Sequence, residues 1–341
     1  MIKPGIIYLG NQLSVHGVNP TSVETLGQRL KEDFTVIRAS SKANKWLRLL
    51  DMWRTLISNK EADFVLIDTY STSAFIFAWT CAFLARKLGL KYIPILHGGA
   101  LPNLARSSPK RLTIYLKGAY KVVCPSPYLR EKLIRAIDME YKVVPNAIDL
   151  ADYSFTARTG LDQSGPQILW VRAFDKIYNP QLAVKLLKGL VDMGYVQASL
   201  CMVGPDKDGS LADVRKLAKE LQVEDRVRFT GSLTKTEWIE LSKAYDVFIN
   251  TTNVDNTPVS VIESLALGLP VISTRVGGIP YILESGKNAI LVEADNVETF
   301  IKAIESLYDS ALYSDLAANG RVTAEGYSWE QIRHQWLNIL K

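Results

Sequence analysis

The sequence has few cysteines, and they follow no metal-ligand or redox spacing. Cys81, Cys124 and Cys201 lie far apart in the 341-residue chain, each in an apolar stretch. Such isolated thiols form neither a zinc site nor a Cys-x-x-Cys redox motif. We therefore expect three buried, reduced cysteines, as in a cytosolic protein.

The chain also lacks a long apolar run and a recognisable leader. The apolar, uncharged stretch between Asp68 and Arg86 is rich in Ser and Thr and is too short to span a bilayer well. Met1 leads directly into a strand-like sequence, without the basic and apolar regions of a signal peptide. We expect a cytoplasmic protein in which the stretch after Asp68 forms a buried helix.

Several chemical signatures are missing. No Gly-x-Gly-x-x-Gly turn follows a predicted strand, which argues against a nicotinamide dehydrogenase. We identify no Asp-x-Asp motif at a predicted strand end and no His/Cys cluster, so we expect neither a metal nor a cofactor. Basic residues alone are a weak signal for nucleic-acid binding, and nucleic acid is not an expected partner.

Acidic residues are scarce in one half of the chain. Residues 1–160 carry 22 Lys and Arg against 12 Asp and Glu, a net +10, whereas residues 161–341 carry 18 against 23, a net −5. A basic half suits an acidic partner, such as an anionic membrane surface or a phosphorylated acceptor. The segments Lys42–Arg54 and Arg106–Lys117 interleave basic and apolar residues, as surface-bound helices do. A solvated basic face is the alternative.

Short apolar runs alternate with amphipathic ones along the whole chain. A first series of predicted strands begins with Ile6–Leu9 and ends with Lys142–Val144. A second series begins with Ile168–Val171 and ends with Ala289–Val292. Because repeated βα units form parallel sheets buried on both faces, the expected fold class is α/β, with two Rossmann-like doubly wound domains. We expect domains at residues 1–155 and 156–326, a linker within Asp149–Pro166, and a terminal helix at 327–341.

The segment Asn250–Gly278 contains the predicted ligand site. A strand ends near Asn250, a polar loop follows, and Thr257-Pro258 is expected to start a helix as N-cap and first-turn residue. Free backbone N–H groups at Val259 and Ser260, with the helix dipole, suit a phosphate. Asp255 and Glu263 flank that site and suit sugar hydroxyls. A diphosphate between two polyhydroxylated groups matches a nucleotide sugar.

The same segment resembles a known enzyme family. Seven residues separate Asp255 from Glu263, and Gly268-Leu-Pro-Val271 and Val276-Gly-Gly278 follow in register. This pattern resembles the retaining glycosyltransferases of family four, which have the GT-B fold. The resemblance implies an acceptor-binding N-terminal domain and a nucleotide-sugar-binding C-terminal domain facing a central cleft. It also implies a C-terminal helix that crosses back to the N-terminal domain.

The resemblance implies roles for individual residues near the donor. Glu263 would bind the donor ribose. Asp255, where the family normally has Glu, would contact the donor sugar. Arg172 and Lys176 would neutralise the diphosphate, although three residues separate them here instead of the usual four. From the predicted helix start, independently of the resemblance, we also expect Pro258, Val259 and Ser260 to be donor-binding positions beside the phosphates.

Further positions follow from the same resemblance. His97, before Gly98-Gly99, would face the transferred sugar, with a structural role as the alternative. Gly17 in the first βα loop would touch the donor phosphate or the acceptor. Gly204, Thr230 and Gly231 would lie on the side of the nucleotide base.

The predicted function is transfer of a sugar from a nucleoside diphosphate sugar to a hydroxyl of a glycan or lipid-linked acceptor. The resemblance implies retention of configuration and a place in cell-surface polysaccharide or glycolipid biosynthesis. Two alternatives stay open: a nonhydrolysing nucleotide-sugar epimerase, and a degenerate transferase acting as a scaffold. Asp255 and the shifted Lys176 favour the second slightly.

Overall fold

A computed structural model describes residues 3–16, 21–71, 74–97 and 101–341. The described chain divides into two compact units. The first comprises the residues up to Pro145 together with Arg333–Lys341, and the second comprises Asn146–Ile332. Each unit is built on one parallel sheet covered by helices, which confirms the predicted α/β class with two Rossmann-like units.

The first unit alternates strands and helices as predicted. Its strands are β1 (Gly5–Leu9), β2 (Thr35–Ala39), β3 (Phe64–Thr69), β4 (Lys91–Leu96), β5 (Val123–Cys124) and β6 (Lys142–Val143). Its helices are α1 (Ser22–Arg29), α2 (Lys45–Ser58), α3 (Phe75–Lys87), α4 (Leu101–Ser107), α5 (Pro109–Lys117) and α6 (Pro127–Ile134).

The first sheet has the strand order β2-β1-β3-β4-β5-β6. The chain moves from β1 to one edge and then returns to continue in the opposite direction from β3. The order therefore reverses between β1 and β3, and the carboxyl ends of these strands meet there. In open α/β sheets such a reversal opens a crevice for ligands.

The second unit contains the remaining elements. Its strands are β7 (Gln167–Val171), β8 (Ser199–Val203), β9 (Val227–Gly231), β10 (Val247–Asn250), β11 (Val271–Thr274) and β12 (Ile290–Val292). Its helices are α7 (Pro180–Asp192), α8 (Ser210–Glu220), α9 (Lys235–Ser242), α10 (Val259–Ala266), α11 (Val297–Ser306) and α12 (Ser310–Glu325). A final helix, α13 (Trp329–Ile339), begins in this unit and ends in the first.

The second sheet has the order β12-β11-β10-β7-β8-β9, which reverses between β7 and β10. Both of its faces are buried. Ile168 and Trp170 of β7 pack into one apolar cluster, whereas Leu169 and Val171 pack into another. Alternate residues of a strand point to opposite faces, so a continuous apolar run is what such a strand requires.

The segment after Pro145 differs from its prediction as a linker. Residues 146–155 belong to the second unit, whereas we expected them in the first. Tyr153, within the predicted linker, is only 1% exposed, and Ile148 is also buried. Burial of these apolar side chains attaches the segment to the second unit.

Helices α4 and α12 were not predicted. Helix α12 contains Ser, Asp, Asn, Gly and Thr, which are weak helix formers, interspersed with Ala and Leu, which are strong ones. It packs against α10, and this tertiary contact compensates for weak propensity.

The apolar stretch after Asp68 forms helix α3, but only one face of that helix is buried. Phe75, Ala78 and Cys81 face the core, whereas Ile76 and Phe83 are more than half exposed, which corrects the expectation of a buried helix. In the described residues, no helix is long and apolar enough to cross a membrane. Cys81, Cys124 and Cys201 are buried and free, as predicted.

The last residues of the chain are anchored in the first unit. Arg333 of α13 forms two charge-assisted hydrogen bonds to Asp33, 2.7 Å to Oδ2 and 2.5 Å to Oδ1. Lys121 donates to the carbonyl oxygen of Ile339 at 2.7 Å. The Arg333 side chain lowers the pKa of the Asp33 carboxyl by hydrogen bonding to it.

Candidate functional site

The carboxyl ends of β7 and β10 meet where the strand order of the second sheet reverses. Arg172 directly follows β7, and Asp255 lies in the loop after β10. Their side chains form an ion pair in which only 16% and 12% of the side-chain surfaces are exposed. Separate roles were predicted for these two residues from the sequence, and their pairing was not predicted.

The ring of Tyr178 lies against Arg172, with the guanidinium carbon 4.3 Å from the ring centroid. Hydrogen bonds join the β10 loop to the β7 loop. Thr251 donates to the carbonyl oxygen of Tyr178 at 2.8 Å, and the Asn253 N–H donates to that of Ile177 at 2.8 Å. The two loops therefore hold Arg172 in a fixed position.

Helix α10 begins beside this pair with its first donors unused. Pro258 is the N-cap residue and the helix starts at Val259, one residue later than predicted, because the backbone of Pro258 is extended. In the described residues, the backbone N–H groups of Val259 and Ser260 have no hydrogen-bond partner. Together with the helix dipole, they form a site that favours negative charge.

Further polar atoms at this edge of the sheet are buried and unpartnered within the described chain. They are Arg172 Nε, Thr257 Oγ1 and Ser260 Oγ. All three carry hydrogen atoms for donation, and a buried donor without a partner costs about 1–3 kcal/mol. A cluster of unpaired donors around a buried arginine suits an anion with several oxygens, such as a diphosphate.

Glu263 lies in the second turn of α10 and is mostly buried. The hydroxyl of Tyr153 donates to Glu263 Oε1. Burial raises the pKa of Glu263, while the Tyr153 hydrogen bond and the charge of Lys235 act in the opposite direction. The other carboxylate oxygen, Oε2, has no partner among the described groups and can accept hydrogen bonds from a ligand.

Two glycines allow backbone segments to approach this site closely. A Cβ on Gly204 would lie 1.8 Å from the carbonyl oxygen of Arg172, and a Cβ on Gly277 would lie 1.9 Å from that of Asp255. Gly277 also has a φ of +57°. The Gly-Gly turn predicted from sequence therefore supports the loop that carries Asp255, and the adjacent Gly278 N–H donates to the Asp255 carbonyl oxygen at 2.9 Å.

A second polar cluster lies in the first unit, at the ends of β3 and β4. Asp68 Oδ1 accepts from the Tyr8 hydroxyl at 2.9 Å and contacts His97 Nε2 at 2.8 Å. Because a carboxylate can only accept, Nε2 of His97 carries the proton. The ring of Tyr70 stacks on His97 with centroids 5.0 Å apart. His97 is thus held in one orientation by Asp68 and Tyr70.

Residues 154–323 match the family model described as Glycosyl transferases group 1, and residues 7–152 match that described as Glycosyltransferase Family 4. The chain belongs to this glycosyltransferase family. The conserved fold of the family accounts for both Rossmann-like units, and the two matches extend over nearly the whole chain.

Several relatives are similar over most of their length. The chain is 26% identical over 340 residues to the lipopolysaccharide core biosynthesis glycosyltransferase LpsE of Rhizobium meliloti (strain 1021), covering 98% of this chain and 94% of that protein. It is 25% identical over 279 residues to the N-acetyl-alpha-D-glucosaminyl L-malate synthase of Bacillus anthracis, covering 76% and 70%. The structure of Anabaena Alr3699/HepE in complex with UDP and glucose has a TM-score of 0.77 at 15% identity, covering 99% of both chains. At 15% identity, the similarity to this solved structure shows a shared fold.

The remaining predicted donor-site residues of this glycosyltransferase are Lys176, Gly204, Thr230, Gly231 and Gly17. The backbone N–H of Lys176 donates to Asp208 at 3.0 Å, and Lys176 is exposed. Gly204 donates to the carbonyl oxygen of Gly231 at 2.9 Å, which brings together the predicted base-side positions at the ends of β8 and β9. Thr230 is adjacent to them. Gly17 falls outside the described residues.

One acidic motif was overlooked in the sequence. Asp206-Lys207-Asp208 is an Asp-x-Asp triplet that begins three residues after β8. Asp206 accepts from the Gly209 N–H at 3.0 Å, and Asp208 accepts from those of Lys176 and Ser210 at 3.0 Å each. These carboxylates hold the backbone of the surrounding turns.

Sequence reasoning also missed Tyr153, Tyr178 and Asp68. Asp68 could have been found, because an acidic residue at the end of an otherwise apolar strand is a sign of a polar site. Tyr153 and Tyr178 gave no such sign, since a single tyrosine in a loop carries no pattern.

The Gly277 turn leads to a testable prediction with a matched control. Gly277→Ala and Gly286→Ala both place a Cβ on a residue with positive φ, +57° and +82°, but only at Gly277 would that atom meet a backbone oxygen. The strained backbone alone costs about 1–2 kcal/mol, and the forced shift of the Asp255 loop adds roughly 1–3 kcal/mol. Urea unfolding measures both. Equal destabilisation of the two variants would contradict the role assigned to this turn.

Proposed function

We propose that this glycosyltransferase transfers a sugar from a nucleoside diphosphate sugar to a hydroxyl of a glycan or lipid-linked acceptor, with retention of configuration. The observation that carries the proposal is the group of unpaired donors at the start of α10 beside the buried Arg172. The diphosphate would supply acceptor oxygens for these donors.

In this proposal, charge stabilisation at the leaving group is the main catalytic contribution. Arg172 is always charged and offers a planar fork to phosphate oxygens. The N–H groups of Val259 and Ser260 and the hydroxyls of Thr257 and Ser260 are fixed before the donor binds. Donors preorganised around a developing negative charge lower the barrier without further rearrangement. Lys176 would add a mobile charge from the exposed surface, and no metal is assigned a role.

The two carboxylates would bind the sugars on either side of the diphosphate. Glu263 Oε2 would accept from the ribose hydroxyls of the nucleotide. Asp255 would contact the donor sugar while Arg172 binds the diphosphate, because a carboxylate has two acceptor oxygens and a guanidinium has five N–H donors. On the acceptor side, His97 would face the transferred sugar in the orientation set by Asp68.

A place in cell-surface glycan synthesis is supported by the relatives. LpsE acts in lipopolysaccharide core biosynthesis according to its name, and it matches nearly the full length of this chain. We propose a similar class of glycan or lipid-linked acceptor for this chain. Three free, buried cysteines support a location in the reducing cytoplasm.

The donor can be tested with UDP-, GDP- and ADP-sugars in a thermal-shift panel. A bound donor at about 100 times its Kd is expected to add about 2.7 kcal/mol to the free energy of unfolding.

Arg172→Ala should abolish this thermal shift and reduce sugar transfer at least about tenfold, since the substitution removes charged hydrogen bonds. Arg158→Ala is the control, because Arg158 is another arginine of this unit that hydrogen-bonds the Tyr245 carbonyl oxygen at 2.7 Å. Unchanged transfer by Arg172→Ala would rule out its role.

The same assays separate the alternatives. An epimerase would convert the donor sugar without any acceptor, which product analysis detects. A degenerate scaffold would bind no donor and would neither hydrolyse nor transfer it. Release of nucleoside diphosphate that rises on addition of a glycan acceptor is expected only of a transferase.

We also propose that the first unit works at an anionic membrane surface. Helices α2, α3 and α5 lie side by side and expose large apolar side chains, which we call the outer helix face. These side chains, with their exposed fractions, are Trp46 (77%), Leu50 (56%), Ile76 (57%), Phe83 (54%) and Ile114 (58%). Residues 69–130 contain nine Lys and Arg and no Asp or Glu. Exposed apolar groups among basic ones suit a bilayer with anionic headgroups.

Flotation with lipid vesicles tests this surface. The protein should float with vesicles containing about 30% anionic lipid at low salt, and less at high salt because the Debye length falls. The double variant Leu50→Ser, Phe83→Ser should float much less, since each substitution removes roughly 2 kcal/mol of apolar transfer. Val322→Ser is the control, because Val322 is 66% exposed on the second unit. Equal flotation of all three proteins would contradict the proposal.

A further inference from the structure

Tyr153 lies outside every motif recognised in the sequence, yet its hydroxyl contacts Glu263. It follows the short turn Leu150–Asp152, and its side chain is almost completely buried. The hydroxyl donates to Glu263 Oε1. A buried phenol commonly finds a partner, but this partner is a carboxylate of the proposed donor site.

The position of Tyr153 is fixed from several sides. Arg321 of α12 donates to the carbonyl oxygens of Tyr153 and Ala266, each at 2.7 Å, and so joins the Tyr153 backbone to the end of α10. The Tyr153 ring packs against Trp238, with centroids 6.5 Å apart. The ammonium of Lys235 lies 4.7 Å from the centroid of the same ring. These contacts set the place of the hydroxyl relative to the helix that carries Glu263.

We propose that Tyr153 is a positioning residue for nucleotide binding: it occupies Glu263 Oε1 and so directs Oε2 to the ribose hydroxyls. This inference rests on the proposed function, because Glu263 is the proposed ribose ligand. It adds a residue that touches no substrate and acts only through the carboxylate.

The positioning role of Tyr153 can be detected through the pKa of Glu263. Burial raises the pKa of Glu263, and the Tyr153 hydrogen bond and the Lys235 charge lower it. The pKa of Tyr153 is itself raised by burial and by Glu263, so the phenol stays protonated and remains a donor. Lys235 pairs with Asp152 at 2.8 Å, and among the described side chains Tyr153 is the one that hydrogen-bonds to Glu263.

Loss of the hydroxyl therefore has a predictable sign. Without the Tyr153 hydrogen bond the pKa of Glu263 moves upward, because the charged form loses a favourable interaction. Protonated Glu263 offers fewer acceptor sites to the ribose. As the pH is lowered, Tyr153→Phe should therefore begin to lose nucleotide affinity at a higher pH than the wild-type protein does.

The experiment is a titration of the full chain with UDP, GDP and ADP between about pH 5 and pH 8.5. Tyr153→Phe is compared with wild type and with Tyr313→Phe, which removes another buried hydroxyl of this unit, one that donates to the Asp246 carbonyl oxygen at 2.7 Å. We expect Tyr153→Phe to weaken binding of the preferred nucleotide at least about tenfold near pH 6, the effect of a lost hydrogen bond to a charged group. The loss should shrink at higher pH, and Tyr313→Phe should bind as wild type does.

A double-mutant cycle provides the second readout. In a Glu263→Gln background, Tyr153→Phe should change affinity little further, because Tyr153 acts only through the carboxylate. Equal affinities of wild type and Tyr153→Phe at every pH would overturn the inference. A loss that does not vary with pH and matches that of Tyr313→Phe would show a purely structural role. If wild type binds none of the three nucleotides, the proposed function fails; binding by wild type with no effect of Tyr153→Phe removes only this inference.

Discussion

The arrangement of the second unit depends on the buried ion pair between Arg172 and Asp255. Placing two charges in a mostly buried position is unfavourable unless they meet with good geometry. They meet because the strand order reverses between β7 and β10, which brings the two following loops to one edge of the sheet. Gly204 and Gly277 allow the surrounding backbone to close on that pair, since a side chain at either position would strike a carbonyl oxygen.

The same edge has more donors than the pair consumes. Asp255 pairs with one side of the Arg172 guanidinium. Arg172 Nε, the hydroxyls of Thr257 and Ser260, and the first N–H groups of α10 have no partner in the described chain. Buried unpaired donors are costly, and each one in a native protein calls for an explanation such as a functional role, a bound ion or a water molecule. The proposed diphosphate would supply oxygen atoms that complete these donors. Glu263 adds a mostly buried carboxylate to the site, and the Tyr153 hydroxyl donates a hydrogen bond to it.

Most of the fold could be predicted from sequence because βα repeats leave a strong pattern of apolar runs. The runs at Ile168–Val171 and Val247–Asn250 predicted the strands that carry the site, and Thr257-Pro258 predicted the start of α10 to within one residue. Helix α12 could not be predicted, because its stability comes from packing on α10. The Arg172–Asp255 pair and the Tyr153–Glu263 contact could not be predicted from the sequence for a similar reason. Each joins residues roughly a hundred positions apart through tertiary structure, which no local pattern encodes.

The most direct test of the central claim is amide hydrogen exchange with and without UDP-sugar. Occupied N–H groups exchange more slowly because they must open before they exchange. The account predicts that the bound donor slows exchange at Val259 and Ser260, whose N–H groups are unpaired without ligand. Exchange in the loop that carries Asp255 should slow with them. Donor binding that leaves these amides unchanged, and protects other parts of the second unit instead, would contradict the account.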